Sequence, residues 1–306
     1  MLLLEGKPYW DSKFLGRNLS RDPVVELTSL VRLGPGRFLQ RQVQPPPLPN
    51  GVTEDGTADS DQAGGAASGA GTATESAAAA NEQWSIAKDL PSPLESAALL
   101  ENYRVVVLGR DADVYLTPEA IENLRSWISQ SGGCLLCSRG APMDQVTSKL
   151  AEILPVRWGA ASESRFRTQL SGSGIDSAIF DPLLSDDGGD PLASLPSLAT
   201  GNVPRARPGL PQVLVQSSSG EGVGDAIPVV TYQAYGRGQT IVVEGAGMWR
   251  WAFLPPQHAD KDKIYPTLWQ SLVQWIVSQQ DIMPGQTLAV RADRAWYGGY
   301  RQQRAA

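Results

Sequence analysis

The chain has 306 residues, 42% of them hydrophobic and 19% charged, which is ordinary globular composition with enough length for a sizeable core. Its net charge of −6 is local: residues 44–83 hold six acids (Glu54, Asp55, Asp59, Asp61, Glu75, Glu82) and no Lys or Arg, leaving 26 acids against 26 bases elsewhere. That balance excludes a basic field for nucleic acid, two cysteines and one histidine exclude a disulfide scaffold or a structural zinc site, and no apolar run reaches the ~20 residues of a membrane span.

In chain order, residues 2–5 (LLLE) are continuous and apolar and predict a buried strand. Asp11 or Ser12 can cap a short helix carrying Phe14, Leu15 and Leu19, which the Asp22-Pro23 break closes. A second strand is predicted over 24–31 (VVELTSLV). Residues 44–83 are Pro-rich, then rich in Ala, Gly, Ser and Thr; they bury too little apolar surface to offset ordering entropy and predict a disordered insertion. Order resumes near Trp84, and 103–109 (YRVVVLG) predicts a central strand. Thr117-Pro118-Glu119 is a helix start, Ile121, Leu124 and Ile128 share one face, and Gly132-Gly133 ends the helix. Residues 134–137 (CLLC) predict the next strand and 146–153 a helix. Residues 160–228 are rich in Pro, Gly and Ser and predict few long elements. PVVTYQAY, Gly236-Arg237-Gly238 and QTIVVEG form a hairpin pattern. Tyr265, Leu268, Trp269, Leu272, Trp275 and Ile276 then mark an amphipathic helix, and 287–291 (TLAVR) a last strand.

Alternating strands and helices predict an α/β fold with a doubly wound, mostly parallel sheet and flanking helices. Ligands of such sheets collect beyond the carboxyl ends of the strands. Those ends carry Glu5-Gly6-Lys7, Arg110-Asp111-Asp113, Ser138-Arg139-Gly140 and Glu244-Gly245-Ala246-Gly247, so one crest should gather them.

The stretches LLLEGKPYWDSKFLGRNLSRDPVVEL, YRVVVLGRDADVYLTPEAIENLRSWISQSGGCLLC, LAEILPV and YGRGQTIVVEGAGMWRWAF…LWQSLVQWIV together resemble one family. It is the class I glutamine amidotransferase-like domain of large, membrane-anchored bacterial proteins, often found beside von Willebrand factor A modules. The resemblance covers nearly the whole chain except 44–83, with Trp249-Arg250-Trp251 its most specific part. It implies a flavodoxin-like topology, loss of the amidotransferase catalytic residues, membrane anchoring with an extracytoplasmic location, and other protein domains, von Willebrand factor A modules among them, as partners. It further divides the chain into 1–43 and 84–283 as the domain, 44–83 as the insertion, and 284–306 as the start of a following β-domain. Met1 would then lie inside the domain.

A glutaminase of this fold needs a cysteine on a tight strand-to-helix elbow and a His with an acid to activate it. Cys137 ends a core strand, but Leu135 and Arg139 stand where the elbow wants glycine, and no His follows TIVVEG. Cys137 therefore reads as a core residue and only a marginal catalytic candidate. Cys134 and Cys137, three apart on a strand, point to opposite faces and cannot readily chelate or bridge. The clusters 220–224 (GEGVG) and 245–247 (GAG) lack the context of a nucleotide loop, and Asp111, Asp113, Asp181, Asp186 and Asp187 lack calcium-loop spacing. No cofactor or metal is expected. Strand alternation through Trp249, Arg250 and Trp251 would bury one tryptophan and expose the other. With Glu5, Lys7, Arg110, Asp111 and Arg139 at the same crest, these make a candidate ligand or partner surface. The expected function is a catalytically silent scaffold or protein-interaction module. A hydrolase using Cys137 and a small-ligand sensor at the crest are the alternatives.

Overall fold

A computed structural model describes residues 1–45, 82–184, 189–209, 211–218 and 226–279. Its strands are β1 (Leu2–Glu5), β2 (Leu27–Gly34), β3 (Arg37–Val43), β4 (Glu82–Lys88), β5 (Val105–Leu108), β6 (Cys134–Cys137), β7 (Val156–Phe166), β8 (Thr168–Leu170), β9 (Leu198–Ala206), β10 (Gln212–Ser217), β11 (Pro228–Tyr235) and β12 (Gly238–Val243). The longer helices are α1 (Trp10–Leu19), α2 (Pro118–Ser131), α3 (Ser148–Ile153) and α4 (Ile264–Gln279).

One ten-stranded sheet runs in the order β4-β3-β2-β1-β5-β6-β12-β11-β10-β8, and β7 pairs with β9 in a separate ribbon. The centre is parallel (β2–β1, β1–β5, β5–β6, β6–β12). Both wings are antiparallel (β2–β3, β3–β4, β12–β11, β11–β10, β10–β8). The expected doubly wound, mostly parallel, flavodoxin-like sheet is thus corrected to a mixed sheet with more antiparallel than parallel pairings. The cause is local. Gly34-Pro35-Gly36, with Gly36 at φ 63°, turns the chain back on itself after β2, and Gly236-Arg237 does the same between β11 and β12. A tight turn forces antiparallel neighbours where a crossover helix would permit parallel ones.

The four central strands are buried on both faces, which is why LLLE, VVVL and CLLC are unbroken apolar runs. On one face Leu3, Val105, Val107, Cys134, Leu136 and Ile241 pack with Leu15 and Leu19 of α1 and with Leu268, Trp269 and Leu272 of α4. On the other, Leu2, Leu4, Val106, Leu108, Leu135 and Cys137 meet Ile121, Leu124 and Ile128 of α2 and Leu150 and Ile153 of α3. The two cysteines do face opposite layers. Thr117 caps α2 by accepting from the Ala120 N–H, and Gly132 closes it in the left-handed region at φ 79°. Helix α1 begins at Trp10, with Tyr9 at the cap and no side-chain capping bond, so neither Asp11 nor Ser12 caps it.

Residues 160–228 hold more structure than expected: β7, β9, β8 and β10 cross this region. β7 is exposed along most of its length, and β9 is largely half-buried with Gly201, Asn202 and Pro204 in it, so neither shows the apolar alternation that marks a strand. Glu82 and Gln83 belong to β4, while the rest of the expected insertion from 46 onward lies outside the described residues, as do the strand expected at 287–291 and the segment 284–306.

Candidate functional site

The carboxyl ends of β1, β5, β6 and β12 converge, and close backbone approach builds the crest. Glu5, the last residue of β1, is fully buried. Its carboxylate lies against the backbone of Gly109, where an added Cβ would stand 1.8 Å from Oε2, so only glycine fits after β5. Ser12 of α1 donates to Glu5 Oε2, while Oε1 is buried without a hydrogen-bond partner. Burial pushes the Glu5 carboxyl up to about 8, against the opposing pull of the Ser12 bond and Arg139. The group is mostly protonated at neutral pH.

Glu244, which follows β12, is the second buried carboxylate. It accepts from Trp158 Nε1 at 2.7 Å, from Thr200 Oγ1 at 2.9 Å and from the Gly245 N–H at 3.1 Å. Burial raises its pKa, with these bonds and the charge of Arg110 pulling the other way. Gly140 sits at φ 80°, and a Cβ there would lie 2.6 Å from Glu244 Oε1.

Asp11 is the hub that sequence reasoning missed. Its Oδ2 accepts from the Gly247 N–H at 3.1 Å and its Oδ1 from the Trp249 N–H at 3.0 Å. Arg139 Nε lies 3.2 Å from Asp11 Oδ2, an ion pair whose angle falls short of a hydrogen bond. The Arg139 guanidinium stacks 3.9 Å over the Tyr9 ring. Tyr9 Oη donates to Asp111 Oδ2 at 2.6 Å, and Lys7 Nζ reaches the same oxygen at 3.0 Å. Burial raises the Asp111 pKa, but the Tyr9 and Lys7 contacts outweigh it and hold the carboxyl below its ordinary range. No local pattern marks Asp11, because its backbone partners Gly247 and Trp249 lie more than 230 residues away.

The sequence-predicted residues therefore divide. Lys7, Asp111 and Arg139 share one polar cluster with Tyr9 and Asp11, and Glu5 lies beneath it. Arg110 stands beside Glu244. Trp249, Arg250 and Trp251 lie in a 3-10 helix, Met248–Ala252, not a strand, so strand alternation does not apply. Trp251 is buried and donates to the Pro196 carbonyl at 2.8 Å. Arg250 bonds the Gly247 carbonyl at 3.2 Å and the Ser197 carbonyl, which makes it a clamp on that loop. Trp249 stacks on Phe14 and lies 5.9 Å from Trp10, centroid to centroid.

Cys137 is wholly buried, and burial pushes its thiol pKa far up, as it does that of Cys134. His258 lies in an exposed 3-10 segment, Pro256–Lys261. Among the described residues, no group of three or more His, Cys, Asp and Glu could hold a metal ion.

Beside the crest, this face of the sheet is progressively uncovered: Leu27, Ser29 and Val43 are buried on it, Val31, Leu39 and Arg41 are half-buried, and Trp84 and Ile86 of β4 are exposed. Register aligns Leu3, Ser29, Arg41 and Trp84 in one row and Glu5, Val31, Leu39 and Ile86 in the next. A cleft of about 400 Å³ runs between these rows and α1, lined by Leu3, Val31, Leu33, Leu39, Trp10 and Trp84 with Glu5 at its inner end. Trp10 and Trp84 are each 57% exposed, Ile86 56% and Leu33 44%. Lys13 Nζ lies 4.7 Å over the Trp10 ring, and Arg41, ion-paired to Glu82 at 2.6 Å, lies 5.1 Å over Trp84. Neither tryptophan was a sequence candidate, since an isolated exposed Trp carries no spacing signal.

No family model and no curated protein matches the chain. Solved structures that match include a β-galactosidase from Rahnella sp. R3 (13% identity, TM-score 0.38, 58% of this chain and 23% of that one). An exo-β-1,4-mannosidase from Opitutaceae bacterium strain TAV5 matches at 17% identity and TM-score 0.34, over 60% of this chain and 26% of that one. A cytoplasmic protein from Salmonella typhimurium LT2 matches at 14% identity and TM-score 0.40, over 64% of this chain and 91% of that one. The chain spans about a quarter of the length of the two glycosidases. The expected kinship with class I amidotransferase-like domains is corrected: no family model supports it, and the flavodoxin-like topology it implies gives way to a mixed sheet. The pseudoenzyme and membrane associations that came with the kinship lose their support with it. Among the described residues no helix is long and apolar enough to cross a membrane.

Proposed function

We propose that the chain is a protein-interaction module that holds an apolar, aromatic-bearing segment of a partner in the cleft between α1 and the partly uncovered face of β2–β4. One observation carries the proposal. Trp10, Trp84, Ile86 and Leu33 lie around a single cleft and its rim, all more than two-fifths exposed, while the two buried clusters absorb most other large apolar side chains. Apolar patches of this kind mark binding surfaces, and tryptophan beside arginine is the composition of interface hot spots. Lys13 and Arg41 add cationic rims, which favours partners with acidic flanks. The test is selection of peptides from a random library against the whole chain, followed by titration of the winners. Selected peptides should be rich in aromatic residues and lose at least tenfold affinity on Trp10→Ala while stability falls by less than about 1 kcal/mol. Peptides indifferent to Trp10→Ala and Trp84→Ala would refute this site.

A small-ligand reading has one observation of its own, the unpartnered Glu5 Oε1 at the inner end of the same cleft. Fragments that raise the melting temperature of the native chain, but not of Glu5→Gln, would favour it.

A further inference from the structure

The two edges of the ten-stranded sheet are managed differently. The β8 edge is three residues long, the short form by which proteins commonly blunt an edge. The β4 edge is seven residues long, pairs with β3 through unbroken register from Glu82 to Lys88, and contains no Pro or Gly. Among the described residues nothing pairs with its outer side. Its two charges stand at its two ends instead of at its centre, where a charge would deter pairing.

The order of residues in EQWSIAK is self-complementary. We infer that two copies of this chain pair antiparallel along their β4 edges, about a two-fold axis through Ser85. That register sets Glu82 of each copy opposite Lys88 of the other, and Trp84 of each opposite Ile86 of the other. Ser85 meets its own counterpart and Gln83 meets Ala87. Directly opposed opposite charges and aromatic–aliphatic pairs are the contacts that stabilise antiparallel strands, and the symmetry makes each of them twice. Glu82, Trp84, Ile86 and Lys88 occupy alternate positions on one strand, so all four point to one face, the face that bears the cleft. Pairing would therefore bring Ile86 of the second copy beside Trp84 and extend the apolar floor across the axis. The alternative registers fail this test. A shift by two residues breaks both charge pairs and leaves a tryptophan opposite a charged residue or another tryptophan. Shifts by one place cleft-face residues opposite residues of the other face.

The inference stands on the strand edge and does not require the partner peptide, although Trp84 belongs to both surfaces. Sedimentation equilibrium of the whole chain should show a reversible dimer. Lys88→Glu and Glu82→Lys should each weaken self-association roughly tenfold, because each reverses two symmetric charge pairs worth a few-fold apiece. An equimolar mixture of the two variants should regain wild-type affinity as a heterodimer, since each supplies the charge the other lacks. Glu82 also holds Arg41, so thermal unfolding must accompany that variant. Ile86→Lys leaves the Arg41 pair in place and should abolish the dimer by itself. A monomer at every concentration reached, or a dimer indifferent to these substitutions, overturns the inference. Trp10→Ala separates the two surfaces: it should leave self-association unchanged while it removes peptide capture.

Discussion

Glu5 is buried and its carboxyl is pushed from an ordinary value of 4.5 up to about 8, first by desolvation. A carboxyl whose folded-state pKa is raised binds its proton more tightly when folded than when unfolded. Between the two values the folded chain keeps a proton that the unfolded chain has released, so stability falls as pH rises through that window. The slope is about 1.4 kcal/mol per pH unit for one proton, and the window spans roughly three units, so the full effect is on the order of 4 kcal/mol. Glu5→Gln keeps the shape and removes the charge. Urea unfolding of both proteins from pH 5 to pH 9 provides the assay. Glutamine should be near neutral in effect at pH 5 and gain on glutamate by about 1.4 kcal/mol per unit, levelling off above pH 8. Glu244, also buried and raised, tilts both curves alike and cancels in the difference. Parallel curves for the two proteins would refute the reasoning, because they would mean that Glu5 is ionised in the folded state throughout.

Asp11→Ala frees the Gly247 and Trp249 N–H groups and the Arg139 guanidinium together, and should cost about 3 kcal/mol in denaturant unfolding. Trp251→Ala removes a buried ring and its bond to Pro196, which should cost about 3–5 kcal/mol, whereas exposed Trp10→Ala should cost below about 1 kcal/mol in the same assay. Gly140→Ala combines a φ of 80° with a carboxylate in the path of its Cβ, and should lower stability by about 2 kcal/mol or more. Both thiols should react with Ellman's reagent only as the chain unfolds, so labelling should be slow in buffer and immediate in denaturant.

What the sequence made legible follows its strongest physical signals. Strands buried on both faces leave unbroken apolar runs, and β1, β5 and β6 were readable on that ground. Thr117-Pro118 and Gly132 bounded α2, and the spacing from Tyr265 to Ile276 marked α4. Strand direction was the failure. The hairpin of β11 and β12 is legible in its Gly236-Arg237-Gly238 turn, but the turn at Gly34-Pro35-Gly36 is not, and β3 pairs with β4 across the long stretch from Val43 to Glu82, so the β2–β4 wing shows no antiparallel sign in local pattern. β7 exposes most of its residues, and β9 carries Gly201, Asn202 and Pro204, so neither leaves an apolar period. At the crest, the strand ends located Glu5, Asp111, Arg139 and Glu244, because strand termini are readable. Asp11, like Ser12, carries only the local signature of a helix cap, since its bonds to Gly247 and Trp249 are made only by the folded chain. The cleft tryptophans were missed for the same reason: Trp10 and Trp84 are brought to one surface by the pairing of β4.

The central claim is that the cleft beside α1 receives a partner, and hydrogen–deuterium exchange with and without a selected peptide tests it most directly. Protection should appear in the first turn of α1 and along β3 and β4, where amides border Trp10, Leu39 and Trp84, with α2 and α4 unchanged. Protection confined to α2, α4 or the β7–β9 ribbon, with α1 and β4 exchanging as in the free chain, would contradict it.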